Sequence, residues 1–197
     1  MLKLLKIYIV LVLFVTSLVA DDKSYVKDNF SKIINDVLVV VKNKKLSADE
    51  RNRKIVEIVT PIFDFALMGK LSLGKKWKTL SRSDRKEFVS LYVERMKKSY
   101  SAKLDAYNDE VIVIKEVKQP KKNRIILFST LESNNNSLSV NYKYYKPKKS
   151  KKGKQDWLIY DVEIEGVSIL KTDKAQFKEY LKTHTLSQLI DSMRAKK

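Results

Sequence analysis

Four apolar segments separated by short polar turns constrain the fold of this chain more than any other feature. They are predicted as strands over residues 111–117, 125–131, 138–145 and 157–165. The last segment has the period-two pattern of a half-buried strand, with one face formed by Leu158, Tyr160, Val162 and Ile164. The turns at 119–123, 133–137 and 146–154 are short, so neighbouring strands should pair antiparallel. The sequence therefore predicts an antiparallel sheet of four strands or more.

Helical patterns flank this sheet on both sides. Before the strands, Ser47 and Glu50 form a capping-box pattern, Thr60-Pro61 has the pattern of a cap followed by proline, and the longest helix should run from 81–84 to about residue 106. After the strands, two further capping boxes are predicted from the pairs Asp173/Gln176 and Thr185/Gln188. Helices before and after an antiparallel sheet define an α+β class.

The first twenty residues have the pattern of a secretory signal. Lys3 and Lys6 precede an apolar run at 7–15 that is too short to span a bilayer, and Ala20 supplies a small residue at the expected cleavage site. The alternative is an uncleaved anchor, which the polar sequence from Asp21 onward disfavours. We expect a signal peptide over residues 1–20, cleavage after Ala20, and a single soluble domain over residues 21–197 outside the cytoplasm.

Composition narrows the function further. The formal charge is +18, which often indicates a nucleic-acid partner, but an exported chain in which Lys far outnumbers Arg is better suited to anionic lipid or acidic protein surfaces. The chain has no cysteine, which excludes disulfides, thiolate catalysis and a lipid anchor on cysteine.

Signals for enzymatic chemistry are poor. His184 is the only histidine and is expected at the surface near a helix end, and no nucleophile elbow, P-loop or zinc-protease motif occurs. Asp161, Glu163 and Glu165 share a strand face and could hold a metal, but we expect them to face solvent opposite Lys143. The prediction is therefore a non-enzyme with no catalytic residue, no metal and no cofactor.

Two motif regions resemble the MlaC family of periplasmic phospholipid-binding proteins, also called toluene-tolerance or auxiliary transport proteins. One is the pattern W-x-x-x-D-v-x-x-e-G-v-S from Trp157 to Ser168. The other lies upstream and comprises Phe63-Asp64-Phe65, Met68, Leu73-Gly74, Trp77, Phe88, Tyr92, Tyr100 and Leu104. Lys70 stands where relatives often have arginine, and the basic hairpin is longer than expected.

The resemblance implies a cone-like NTF2-like fold whose curled sheet encloses an apolar cavity for phospholipid. Periodicity alone does not distinguish such a cavity from a filled core, because both need the same residue types. The positions assigned to its lining are Phe65, Phe88, Tyr92, Met96, Val113, Ile126, Phe128, Leu138, Val140, Tyr142, Val162, Ile164 and Leu170.

The resemblance further implies a periplasmic carrier that shuttles phospholipid between an outer-membrane lipoprotein complex and an inner-membrane ABC transporter with an MCE-domain subunit, maintaining outer-membrane lipid asymmetry. Membrane contact would be transient, and nucleic acid is not an expected partner. Partner or membrane docking is predicted at Lys148, Lys149, Lys151 and Lys152, although these lysines could equally be a solvated hairpin tip. The alternative function is a non-enzymatic adaptor of the cell envelope with a filled core and a basic docking surface.

Overall fold

The computed structural model describes residues 21–105, 110–133 and 136–195, with side chains except at 97, 98 and 100–105. The predicted signal peptide lies outside the described residues, as do the side chains of Tyr100 and Leu104. The helices are α1 Asp22–Lys42, α2 Ala48–Val59, α3 Phe65–Leu73, α4 Arg82–Asp105, α5 Ile169–Tyr180 and α6 Leu186–Ala195. The strands are β1 Val111–Lys121, β2 Arg124–Glu132, β3 Ser137–Tyr145, β4 Leu158–Ile164 and β5 Val167–Ser168, and 3-10 turns cover Thr60–Ile62 and Gly74–Thr79.

The five strands form one open, curled sheet in the order β1-β2-β3-β4-β5, with every neighbouring pair antiparallel. The predicted α+β class and antiparallel sheet are thus confirmed. Pro120 lies inside β1 rather than in a turn, which is tolerated because β1 is an edge strand and has no second neighbour to bond.

The fifth strand comes from a two-residue hairpin that the sequence pattern does not separate from a helix start. Glu165 and Gly166 have φ of 49° and 76°, and Ile164 pairs with Val167 across them. Two successive positive φ values are typical of a type I′ turn, and glycine adopts a positive φ at low energetic cost. Ser168 then caps α5 by accepting from Lys171 N at 3.0 Å.

Helix starts agree with the sequence at some positions and differ at others. The capping boxes of Ser47/Glu50 and Thr185/Gln188 are both present. Asp64 caps α3 by accepting from Leu67 N at 3.1 Å, whereas Thr60-Pro61 only opens a 3-10 turn. The predicted capping box at Asp173 is wrong, because α5 begins four residues earlier, at Ile169, which puts Asp173 inside the helix.

Two hydrophobic clusters hold the molecule together. The sheet cluster lies between α1 and the inner face of the sheet, and its buried members include Val26, Phe30, Ile125, Leu127, Tyr144 and Ile159. The helical cluster lies among α3, α4, α5 and α6, and its buried members include Met68, Phe88, Leu91, Tyr92, Phe177 and Leu189. Among the residues described, no helix is both long and apolar enough to cross a membrane.

Candidate functional site

The inner face of the sheet is closed at one end. There Ile125 and Ile159 are fully buried and Tyr144 is 2% exposed, because α1 packs over them. The rings of Phe30 and Tyr142 lie 4.6 Å apart and join α1 to the middle of β3. This end of the interior is therefore filled.

The same face opens toward the other end of the strands. Ile114, Val140 and Ile164 are only partly buried, although they point to the same side as the closed residues. At the end of the sheet, Val111 is 55% exposed and Val167 is 60% exposed. Leu138, at the start of β3, is 36% exposed. Val111, Leu138 and Val167 are therefore three exposed apolar side chains at this end of the sheet, on strands β1, β3 and β5, and we call them the apolar rim.

A pocket of about 330 Å³ lies next to this rim, between α4, β4, β5 and α5. Met96 comes from the helical side and Ile164 from the sheet side, so the pocket joins two residues predicted to line a cavity. Its remaining lining is Arg95, Ser99, Val167, Ile169, Thr172, Asp173 and Gln176. One wall is therefore apolar and another carries polar side chains.

The polar wall is a hydrogen-bonded network that joins α4 to α5. The buried carboxylate of Asp173 accepts from the Tyr92 hydroxyl at 2.6 Å and from Arg95 at 2.7 Å. Arg95 also donates to Gln176 at 2.8 Å and lies over the ring of Phe177. These bonds fix the position of α4 beside the pocket.

The phenols on the inner face remain neutral. Burial raises the pKa of Tyr142 to about 12, and burial together with the neighbouring Tyr142 raises the pKa of Tyr144 well above its usual value. A charged phenolate there would be costly in an apolar environment. The inner face therefore carries no ionised group from these two residues.

The basic loop between β3 and β4 is partly fixed to the protein. Lys151 forms an ion pair with the buried Asp64, to which the Tyr145 hydroxyl also donates. Lys154 donates to the carbonyls of Thr60 and Phe63. Lys148, Lys149 and Lys152 are exposed, so they retain the surface position predicted for docking, whereas Lys151 has a structural contact.

The geometry resembles that of a known fold. The family model described as MlaC protein matches residues 31–195 of the chain. The chain belongs to the MlaC family. A solved structure of the phospholipid-binding protein from Ralstonia solanacearum, in complex with a phospholipid, is similar with a TM-score of 0.74. The identity is 17%, over 86% of this chain and 96% of that chain. No match is found among curated proteins.

The motif from Trp157 to Ser168 has a structural explanation in this MlaC chain. Trp157 is 1% exposed and donates to Asp22 at 3.1 Å. Asp161 accepts from the Ser168 hydroxyl at 2.8 Å and from Leu170 N at 3.1 Å, which fixes the start of α5. Asp161 is 4% exposed, so the expectation that it faces solvent is wrong, although its contact with Lys143 at 3.3 Å is present.

Five of the predicted lining residues share the inner face of the sheet. Leu138, Val140 and Tyr142 follow one another along β3, and Val162 and Ile164 lie on β4, with Val140 paired to Ile164 and Tyr142 to Val162. Of these, Val140, Tyr142, Val162 and Ile164 belong to the sheet cluster or pack against it, and Leu138 lies at the rim.

Phe65, Phe88 and Tyr92 lie elsewhere in this MlaC chain. Phe88 and Tyr92 are fully buried in the helical cluster, with ring centroids 5.7 Å and 6.4 Å from that of Phe177. Phe65 stacks on Phe63 at 5.2 Å beside the same cluster. Of the helical residues predicted for the lining, only Met96 reaches the pocket.

Val113, Ile126 and Phe128 are not on the inner face. Ile125 and Leu127 take the inward positions of β2, so alternation turns Ile126 and Phe128 outward, and Lys118 lies over the Phe128 ring at 5.3 Å. Leu170 belongs to neither cluster. The inner residues that sequence reasoning missed include Ile112, Ile114, Val117, Ile125, Leu127, Ile159 and Ile169.

The reason for the missed residues is visible in the strands. Between Ile125 and Leu131, apolar residues occur at both odd-numbered and even-numbered positions, so the alternation does not indicate which face of the strand points inward. In β1 a bulge between Ile114 and Glu116 shifts the alternation, which puts Ile114 and Val117 on one face.

Within the residues that the structure describes, no cluster of three potential metal ligands occurs.

Proposed function

We propose that this protein is a periplasmic phospholipid carrier that holds the acyl chains of one phospholipid against the open part of the inner sheet face. The observation that carries the proposal is the change along the sheet from closed at Ile125 and Tyr144 to partly exposed at Val140 and Ile164, ending in the pocket below α4. Membership of the MlaC family supports it, as does the likeness to a protein solved with a phospholipid.

The physical chemistry of lipids explains why such a site needs few polar contacts. Each buried methylene contributes about 0.8 kcal/mol, so two acyl chains strongly favour an apolar interior over water. The headgroup can stay at the mouth, near Arg95 and Gln176 on the polar wall of the pocket. Binding by tails is non-directional and needs no catalytic group.

The proposal includes no chemical reaction. His184 is exposed, stacks on the Tyr180 ring at 4.1 Å and contacts the hydroxyl of its neighbour Thr183 at 2.8 Å, and it does not line the pocket below α4. Two buried acids lie near the site, and both have structural contacts. Asp161 accepts from the Ser168 hydroxyl at the start of α5, and Asp173 accepts from Arg95 and so joins α5 to α4. These uses support a binding protein rather than an enzyme.

In the cell, the carrier would exchange phospholipid with an outer-membrane lipoprotein complex and with an inner-membrane ABC transporter bearing an MCE-domain subunit. Such exchange would maintain lipid asymmetry of the outer membrane. The carrier unit would be residues 21–197, released after Ala20 from a signal peptide over 1–20. The apolar rim at Val111, Leu138 and Val167 supplies a surface at which a lipid could leave without crossing water.

The test is lipid content. The purified protein should carry about one phospholipid per chain, measured by mass spectrometry of the extracted lipid. Val140→Trp fills the open part of the inner face and should expel the lipid, while the melting temperature of the delipidated variant stays close to that of the delipidated wild type. Val113→Trp is the matched control, because Val113 faces outward, and it should retain lipid.

The alternative of an adaptor with a filled core predicts different results. Val140→Trp would then overpack the interior and cost about 1–3 kcal/mol of stability. Wild-type protein without lipid, together with a sharp fall in the melting temperature of Val140→Trp, would contradict the carrier proposal.

A further inference from the structure

The strands separate two chemically different ends of the sheet. The β1–β2 turn and the β3–β4 loop lie at one end, where Lys146 N donates to the Asn123 carbonyl at 3.3 Å. The apolar rim and the pocket below α4 lie at the opposite end, where β3 begins and β4 ends. The seven steps from Leu138 to Tyr145 along β3 separate the ends by about 23 Å.

The first of these ends is strongly basic. Lys146, Lys151 and Lys154 are used internally, by Asp22, by Asp64 and by backbone carbonyls. Among the described residues, six further cations at this end have no ion pair. They are Lys121, Lys122, Arg124, Lys148, Lys149 and Lys152, and we call them the basic end.

A second pocket, of about 380 Å³, lies within the basic end. Lys121, Asn123, Arg124 and Tyr160 line it over a floor of Pro120, Ile125 and Ile126, and none of these residues is acidic. The Arg124 guanidinium is held over the rings of Tyr145 and Tyr160, at 5.5 Å and 5.3 Å from their centroids. A fixed guanidinium beside a lysine, with no carboxylate in the lining, is a favourable site for a phosphate.

We propose that the basic end docks on an anionic bilayer, with a lipid phosphate in the pocket formed by Lys121, Arg124 and Tyr160 and with the apolar rim directed away from that surface. Clustered lysines attract anionic lipid, and the Tyr160 side chain in the pocket lining suits the headgroup level. At the opposite end, Glu132 is already paired with Lys115 at 2.7 Å and Glu165 accepts from Ser139 N. The proposed orientation therefore rests on the six cations of the basic end, which have no ion pair among the described residues.

The binding test uses vesicles of phosphatidylcholine with and without phosphatidylglycerol. The wild type should sediment with the anionic vesicles only, and less at high salt because exposed charges are screened. The double variant Lys148→Glu/Lys149→Glu should weaken binding at least about thirtyfold, and Arg124→Gln should weaken it about fivefold or more.

The matched control is Lys44→Glu/Lys45→Glu, which changes net charge equally. These exposed lysines follow α1, whose first residue Asp22 bonds Lys146, and 21 residues of helix carry them about 30 Å from the basic end. The control should bind nearly as the wild type does. Equal weakening by both double variants would mean that net charge alone drives binding and would overturn the proposal.

Orientation is measured separately. The chain has no cysteine, so Lys122→Cys and Val167→Cys each give a single labelling site. A fluorophore at Lys122→Cys should be quenched by nitroxide-headgroup lipid in anionic vesicles, and one at Val167→Cys should not. Stronger quenching at Val167→Cys would overturn the orientation.

An acidic protein partner is the competing occupant. In that case the wild type would not bind anionic vesicles but would be retained by immobilised polyglutamate, and the retention would depend on the same lysines. This result would assign the basic end to a protein partner and overturn the bilayer proposal. Vesicle binding is scored independently of extracted lipid, so the docking and carrier proposals fail separately.

Discussion

Asp64 is the residue through which the basic loop and the first helices are joined. It is 3% exposed, caps α3 and accepts from Tyr145 and Lys151. Burial raises the pKa of Asp64, but the bonds from Lys151, Tyr145 and Leu67 N outweigh it and lower the pKa below its usual value. The carboxylate form is therefore the one that stabilises this junction.

We expect Asp64→Asn to lower the free energy of unfolding by about 1–3 kcal/mol near neutral pH, because asparagine can cap α3 but cannot pair with Lys151. A lowered folded-state pKa stabilises the protein above the unfolded value near 3.9 and loses that effect as pH falls through the folded value. The gap between wild type and variant should therefore close in acid, measured by urea unfolding at several pH values.

Asp36→Asn provides the comparison. Asp36 pairs with Lys32 at 2.6 Å on the exposed side of α1, so its loss should cost under about 1 kcal/mol. A gap for Asp64→Asn that persists unchanged in strong acid would show that its charge is not what stabilises the junction.

The sequence predicted the contacts of individual residues only where both partners lie within a few positions of each other. The Ser47/Glu50 and Thr185/Gln188 caps span three residues and were predictable. Asp64 and Lys151 pair with each other although they are 87 residues apart in the sequence, and no local sequence pattern predicts such a pair. Asp173 had the spacing of a capping box, yet its bonds reach Tyr92 and Arg95 on another helix.

At the scale of elements, the contact between α4 and α5 should depend on Asp173. Asp173→Ala leaves the Tyr92 hydroxyl and the Arg95 guanidinium without their carboxylate, and we expect a loss of about 3 kcal/mol. Chemical denaturation of the purified variant measures it. The exposed pair of Asp191 with Arg194 at 2.5 Å offers a control, and Asp191→Ala should cost under about 1 kcal/mol.

The result would count against this role if Asp173→Ala and Asp191→Ala were equally stable. Lipid content of the Asp173→Ala protein is a useful second readout, since Arg95 and Asp173 both line the pocket below α4. If Asp173→Ala lowers stability but the protein retains its lipid, the hydrogen-bonded network of Asp173 serves only to hold α4 and α5 together.

The elements themselves were largely predictable from sequence, and their faces were less so. All four expected strands form, because each is bounded by a turn and long enough to pair. The side that faces inward was missed for β2, which is apolar at both alternate sets of positions, and for β1, which contains a bulge. It was also missed for the first part of β4, where a register shift opposite Tyr144 turns Ile159 inward instead of Leu158 and Tyr160. The two-residue strand β5 was too short to leave a pattern.

For the whole molecule, the site of maturation is a direct prediction. The backbone carbonyl of Asp21 accepts from Tyr25 N at 3.0 Å at the start of α1, so cleavage after Ala20 would leave this helix complete. We expect the mature protein to begin at Asp21, and intact-mass analysis of the exported protein measures this. A mature chain that retains residues 1–20 would contradict release of a carrier from the membrane.

At this scale the sequence predicted one apolar interior, whereas the structure divides the buried residues into two clusters. Periodicity reports that a residue is buried but not against which element, so Phe88 and Tyr92 were indistinguishable from Val140 and Tyr142. The family resemblance indicated the fold, and the structure assigns each residue to a cluster.

The placement of the basic turns and the apolar rim at opposite ends of β3 has a kinetic consequence. A molecule docked through its basic end, as proposed, would present a bound phospholipid on the side away from the bilayer. It would have to detach and rotate before it could exchange lipid with that bilayer. Residence time on that surface, rather than affinity for lipid, would then set how fast cargo passes onward. Raising ionic strength would shorten the residence and speed exchange with the anchoring bilayer, the reverse of what is expected for a protein that docks by its mouth.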